Sequence, residues 1–463
     1  MTTTHELAAR TPVTRQRHVD LLRAVAIGAV VVGHWLLMTV TRTADDRLVG
    51  FTALGRIPDF HHLTWLFQVM PLFFLVGGYA NAISWSRHRV RGGDAGAWLL
   101  GRSGRVFTPL TILLLVVATG ALIGGWAGVP TALLTDIVGV VVLPLWFLVV
   151  YLGVIALTPV LLRAHRRFGV RLILAMAAVV VVGDVLRLTT GVELAAGASS
   201  VFGWLAMHQA GFAWQDGSLR LTVRRAALLL AGSFAGLVLL TTLGPYPVSM
   251  VSVPGAAIQN SSPPSVALML LAACQLALCL MVAGPAERWM ARRRPWAAVV
   301  GLNGVALTLF LWHMVAGFLG ALALDAAGLL PSADAGSGAW WLGRIPWLLT
   351  LTAVMAVLLV TVGRFEAHLL ARRAAGGRGR VLTASLPWVA GAYVAAVGGM
   401  FWLASSGPGP HGPFVVPTGA LALVLAASAV LAVARRTAAH SAVSPRRDLP
   451  APQGTPDISV TSV

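Results

Sequence analysis

Twelve apolar runs, most of them long enough to cross a bilayer, follow one another along the 463 residues of this chain. A transmembrane helix needs about 20 mostly apolar residues. Reading between the polar and Pro/Gly-rich punctuation places the runs near 19–40, 63–85, 106–127, 137–162, 172–187, 198–214, 226–243, 265–284, 297–323, 345–362, 382–404 and 414–434. In hydrocarbon every backbone N–H and C=O must be paired within the protein, so runs of this length are read as helices. The fold expected is an all-α, polytopic transmembrane bundle of about twelve spans. Composition agrees, because 57% of the residues are hydrophobic and 11% charged, whereas a soluble globular chain carries about 25% charged residues. The stretch from Ala24 to Val40 is too long for a signal-peptide core, and no small-residue cleavage site follows it, so it is expected to stay as the first span.

The net charge of +18 arises from 34 basic residues, all of them arginine. A nucleic-acid surface would gather them on one continuous face, but here they form short clusters between apolar runs. Starting from a cytoplasmic N-terminus, alternation of the spans puts 29 of the 34 arginines inside and leaves Arg42, Arg47, Arg56, Arg187 and Arg344 outside, as the positive-inside rule requires. Both termini are therefore expected in the cytoplasm, with 42–61, 244–264 and 325–343 on the outer side. The domain reading is a cytoplasmic tail over 1–18, a membrane domain over 19–380, two additional spans over 381–434, and a tail over 435–463 with too few apolar residues to fold. Cys274 and Cys279, the two cysteines, would point about 140° apart on one helix, which excludes a disulfide or thiol relay.

Ionisable groups inside spans are costly and generally face a cavity or a partner. The first span reads "DLLRAVAIGAVVVGH", with Asp20 and Arg23 at its cytoplasmic mouth and His34 near mid-membrane. The eleven residues from Arg23 to His34 make about three turns and rise roughly 16 Å, so both lie on nearly one face, which suits a long anionic substrate. Imidazole accepts and returns a proton near neutrality; the competing reading is a histidine satisfied by a neighbouring helix. In "GRSGRVFTPL", Arg102 and Arg105 stand three apart at the entrance to the third span and share a helix face. Guanidinium forks bind phosphate oxygens, and simple anchoring at a helix end is the alternative. His313, with Asn303 near the start of the same span, is read evenly as chemical or structural. His208 and Gln209 line a cavity or mark a poorly formed sixth span. Gly77 and Gly78 permit close helix approach, and Gln68 and Asn81 are expected to hydrogen-bond across helices. His61 and His62 lack carboxylates or thiolates at ligand spacing, so no metal site is expected.

The segments "RHVDLLRAVAIGAVVVGH", "MPLFFLVGGYA", "GRSGRVFTP", "PLWFLVVYLGVIALTP" and "LFLWH" resemble, in that order, motifs of the acyltransferase 3 family over about the first 360 residues. The resemblance implies a ten-span core followed by two added spans. It implies a membrane acyltransferase that takes an acyl group, expected to be acetyl, from cytoplasmic acyl-CoA and acylates a hydroxyl of a carbohydrate or related acceptor. His34 would be the catalytic histidine as base or acyl relay, and Arg23, Arg102 and Arg105 would bind acyl-CoA. Asp20, Trp146, His208, Asn303 and His313 are held as candidate cavity-lining residues. Acyl-CoA is then a substrate and no bound cofactor is implied. The acceptor expected is a glycan, glycolipid or glycosylated small molecule, and the location a bacterial cytoplasmic membrane. This chain has "LVGGY" where the family commonly has a Ser-Gly pair. A secondary transporter or exporter of glycans or lipids is the alternative, although the internal repeat common in transporters is not evident.

Overall fold

The fold is known from a computed structural model, which describes residues 4–9, 11–12, 15–42, 48–191, 193–256, 258–330, 333–375, 385–406, 412 and 414–441. A short helix α1 (Thr4–Ala9) precedes the first long helix, α2 (Arg17–Leu37). A hairpin of β1 (Met38–Arg42) and β2 (Leu48–Thr52) follows, then α3 (Phe60–Phe67), α4 (Met70–Val90), α5 (Ala95–Trp126), α6 (Thr131–Val142) and α7 (Leu145–Phe168). Next come α8 (Val170–Thr190), α9 (Glu193–Asp216), α10 (Val223–Thr242), α11 (Val266–Met290), α12 (Arg293–Ala326), α13 (Gly338–Ala375), α14 (Leu386–Ser405) and α15 (Thr418–Ser441). Ten of the expected spans each overlap one of these helices, while 63–85 is divided between α3 and α4 and 137–162 between α6 and α7, and the protein is an all-α polytopic bundle.

Among the described residues, 11 helical segments are long and apolar enough to cross a membrane. The expected sixth span, α9, is not among them, because residues such as Ser199, Ser200, His208 and Gln209 dilute its hydropathy. Its crossing follows instead from the partnership of α2 with α12. Asn303 Nδ2 donates to the Asp20 carbonyl at 2.8 Å, His313 meets His34 at 3.0 Å, and Asp325 pairs with Arg42 at 2.7 Å. Contacts that ascend together along both sequences mean that the two helices run parallel. If α9 did not cross, α12 would be the eighth span and antiparallel to the first; with α9 it is the ninth.

Backbone contact holds α9 in place. A Cβ on Gly78 of α4 would stand 2.0 Å from the His208 carbonyl oxygen, and one on Gly211 of α9 would stand 2.1 Å from the Leu75 carbonyl oxygen. Only glycine permits that approach, which is how membrane helices associate without a hydrophobic driving force. Gly77 has no such constraint, since its added Cβ would be 3.7 Å from Tyr151. Asn81 does reach across helices, to His208, whereas the Gln68 amide donates to the Met250 carbonyl in the segment between α10 and α11.

One end of the bundle gathers the β hairpin, α3, the 244–264 segment and the α12–α13 turn, as expected for segments on one side. Met250 N–H donates to Thr64 Oγ1 at 2.8 Å, Trp65 Nε1 to the Val248 carbonyl at 2.7 Å, and Arg344 to the Met38 carbonyl at 2.9 Å. At the other end the α1–α2 region meets α11 and α12, where Arg17 N–H donates to Glu287 at 2.8 Å. Among the boundaries that differ from the sequence reading, three carry charged residues into a helix. Helix α5 starts at Ala95, capped by the Asp94 carboxylate accepting from Ala97 N–H at 2.7 Å, so Arg102 and Arg105 lie within its second and third turns and not ahead of it. Helix α13 runs beyond 362 to Ala375, and α15 continues through Arg435 to Ser441. The remainder of the expected C-terminal tail lies outside the described residues.

Candidate active site

His34 and His313 face each other across the parallel α2–α12 pair, His34 Nδ1 lying 3.0 Å from His313 Nε2 with ring centroids 5.0 Å apart. Hydrogen-bond chemistry assigns every proton in this chain. His313 Nδ1 lies 2.6 Å from the Phe310 carbonyl of its own helix, and a carbonyl only accepts, so Nδ1 carries the hydrogen. In neutral His313 the Nε2 is then a lone pair, which accepts from His34 Nδ1–H. His34 Nε2 is left with a lone pair that no side chain among the described residues engages. His313 is fully buried while His34 is half-buried, so the unengaged nitrogen is on the less buried ring of the two.

Indole donors frame the pair. Trp35 Nε1 donates to the His313 carbonyl at 2.8 Å, and Trp347 Nε1 of α13 donates to the Trp35 carbonyl at 2.9 Å. Both bonds fix the backbone that carries the imidazoles. One turn before His313, Glu366 of α13 accepts from Thr308 Oγ1 at 2.5 Å and more distantly from Trp312 Nε1 at 3.4 Å. This buried carboxylate was not singled out from sequence, because the span was taken to end at 362. A lone acid within four residues of an apolar run was the signal available.

Nearer the other end, the Arg102 guanidinium lies 4.4 Å over the Trp98 ring, an attractive cation–π position. Arg23 and Arg105 repel it electrostatically, and Arg102 acts in turn on His208. Among the described residues no ion pair neutralises Arg23, Arg102 or Arg105. Arg23 and Arg102 are half-buried and Arg105 is exposed. Three guanidinium groups without a carboxylate partner among the described residues thus leave a local excess of positive charge, of a kind whose forks can pair with anionic oxygens.

The other candidates are placed as follows. The Asp20 carboxylate is held by Arg15 through two bonds of 2.6 and 2.8 Å, so its oxygens are occupied. Asn303 uses its amide on the Asp20 carbonyl, while its Oδ1 is buried without a partner. His208 Nε2 accepts from Asn81 at 3.2 Å, which leaves the proton on a buried Nδ1 that has no partner. Gln209 donates to the Leu161 carbonyl at 3.2 Å. Trp146 packs against Trp204, with ring centroids 5.9 Å apart. His61 Nε2 donates to the Leu54 carbonyl at 2.9 Å, and His62 lies beside Trp65.

A family model described as an acyltransferase domain, that of the acyltransferase 3 family, matches residues 17–364, about three quarters of the chain. The chain belongs to the acyltransferase 3 family. Comparison with curated proteins and with solved structures returns no match. As a member of this family the protein is a multi-pass membrane enzyme that transfers acyl groups. The matched region contains His34, His313, Arg23, Arg102 and Arg105, and it ends just before Glu366; α14 and α15 lie wholly outside it.

Proposed function

We propose that this acyltransferase moves an acyl group, acetyl being expected, from acyl-CoA to a hydroxyl of a carbohydrate or related acceptor, with His34 as the chemical centre. The single observation that supports the reading most is the hydrogen-bond chain that puts the proton on His34 Nδ1 and so leaves a lone pair on Nε2. In direct transfer, Nε2 takes the acceptor hydroxyl proton as the oxygen attacks the thioester carbonyl carbon. Collapse of the tetrahedral intermediate breaks the C–S bond, and the proton passes from His34 to the departing CoA thiolate. In the relay form, Nε2 itself attacks the thioester carbon, the C–S bond breaks and CoA leaves as the thiolate; the acceptor oxygen then takes the acyl group as the C–N bond breaks, its proton balancing the thiolate. Both forms need the same lone pair, and in both His313 Nε2 steadies the positive charge on the His34 ring by accepting its Nδ1–H.

The donor's phosphates would be held by Arg23, Arg102 and Arg105, with the pantetheine arm running along α2 towards His34, about three turns away. With the N-terminus cytoplasmic, that anion site faces the compartment that supplies acyl-CoA, and the protein would sit in a bacterial cytoplasmic membrane. The reading is tested with full-length protein in lipid, by measuring acyl-CoA-dependent acylation and acyl-CoA affinity in parallel. His34→Ala and His34→Gln should both abolish transfer and leave acyl-CoA affinity within a few-fold of wild type, because glutamine hydrogen-bonds but is no base near neutrality. Full activity in the glutamine variant would return His34 to a packing role. Failure of the wild type to bind acyl-CoA would favour a transporter of glycans or lipids.

A further inference from the structure

Arg344, in the second turn of α13, is a buried cation. It is 3% exposed, and among the described residues no charged group acts on it. The other described arginines expected on the outer side differ. Arg42 pairs with Asp325 at 2.7 Å, Arg187 lies 3.3 Å from Asp184, and Arg56 is exposed beside the Phe51 ring. The Arg344 guanidinium lies 4.1 Å over the Trp340 ring and 5.1 Å over that of Trp347, and Nη1 donates to the Met38 carbonyl at 2.9 Å. Its Nε is buried with no hydrogen-bond partner among the described residues, as are Trp340 Nε1 and the hydroxyl of Thr39, the residue after Met38. Indole faces attract the cation, but they take no hydrogen bond from its edge.

Burying an unpaired charge is costly, and an ionisable group kept inside a membrane protein marks a substrate path. The groups a guanidinium edge pairs with are carboxylate and phosphate. Met38 N–H donates to the His34 carbonyl, so Arg344 is anchored about one helical turn beyond His34, whereas Arg23 lies about three turns before it. With the donor's phosphates at the Arg23 end of α2, the opposite end is left to the acceptor. We propose that Arg344 binds an anionic group, carboxylate or phosphate, of the hydroxyl-bearing acceptor, which makes the substrate class an acidic or phosphorylated carbohydrate. The inference rests on the acyl-transfer reading above and adds to it the charge of the acceptor and the end from which it enters.

The experiment measures, by calorimetry on full-length protein in lipid, the affinity for glucose, glucuronate and glucose 1-phosphate, with CoA present so that phosphate does not report the donor site. Acylation of each sugar from acetyl-CoA is followed in parallel, for wild type, Arg344→Gln, Arg344→Lys and Arg56→Gln. Wild type should bind at least one anionic sugar roughly ten-fold to a hundred-fold more tightly than glucose, as a charge-assisted bond allows, and the one preferred distinguishes carboxylate from phosphate. Glutamine keeps a donor for the Met38 carbonyl but removes the charge. Arg344→Gln should therefore erase the preference while glucose affinity and thermal melting stay near wild type. Lysine should keep part of the preference, since it retains the charge without the fork, and Arg56→Gln, at an exposed arginine, should keep all of it. A merely structural staple would weaken all three sugars equally. Equal affinity of the wild type for the three sugars, or a preference that survives Arg344→Gln, overturns the inference. A preference lost in Arg344→Gln, with no acylation of any sugar by the wild type, supports the anion site and removes the acyl-transfer reading.

Discussion

Replacing His313 separates the chemistry of His34 from its positioning. In His313→Phe the buried ring volume is roughly kept, but His34 Nδ1–H loses the acceptor now 3.0 Å away. Leaving one buried donor unpaired costs about 1 to 3 kcal/mol, which converts to roughly a 5-fold to 150-fold loss of kcat at 1.4 kcal/mol per ten-fold. The loss also arises because the freed ring turns or takes the other tautomer, withdrawing the Nε2 lone pair from the substrate. In His313→Gln the terminal amide reaches about as far as Nε2, and its oxygen accepts from His34, so kcat should stay within about ten-fold of wild type. Acyl-CoA KM should change little in either variant, because the arginines lie about three turns from the pair. The assay is steady-state acyl transfer by full-length protein in lipid, with thermal melting as the folding control. Wild-type kcat in His313→Phe, or an equal loss in His313→Phe and His313→Gln, would refute the tautomer argument.

Two other perturbations probe the scaffold. Gly78→Ala drives a Cβ to 2.0 Å from the His208 carbonyl, a backbone atom that cannot rotate away, so melting in detergent should reveal overpacking of about 1 to 3 kcal/mol. Gly77→Ala, with its nearest contact at 3.7 Å, should melt close to wild type, and equal melting of the two variants would contradict the backbone-contact account. Reporter fusions after Arg91, Arg166 and Arg293 should score cytoplasmic and one within 249–261 external; a cytoplasmic score for the last would break the parity on which the α9 crossing depends.

The bundle was legible in the sequence because each span must be apolar along its whole length, and a 20-residue apolar run leaves little freedom of interpretation. The imidazole pair was half legible. His34 and His313 stand out as imidazoles in hydrocarbon, but their pairing joins residues 279 apart, and periodicity within one helix carries no information about that. Errors fell where polar residues interrupt an apolar run. The segment "AGAWLLGRSGR" dilutes the start of α5, which placed Arg102 and Arg105 ahead of their helix. The same dilution hid Glu366 past the expected end of α13, and it assigned Arg435 to a tail when it belongs to the last turns of α15. The β hairpin after α2 went unread because its strands, "MTVTR" and "LVGFT", are five residues each, too short to stand out from an exposed connection.

The long separation between the two imidazoles also has a temporal meaning. A ribosome adding about 5 to 20 residues per second delivers His313 roughly 14 to 56 s after His34. For that interval the first helix sits in the bilayer with its histidine lacking the acceptor that sets its tautomer. The pair thus forms only once the ninth helix has been inserted beside the first, and a nascent or prematurely terminated chain carries His34 without the acceptor that orients its ring.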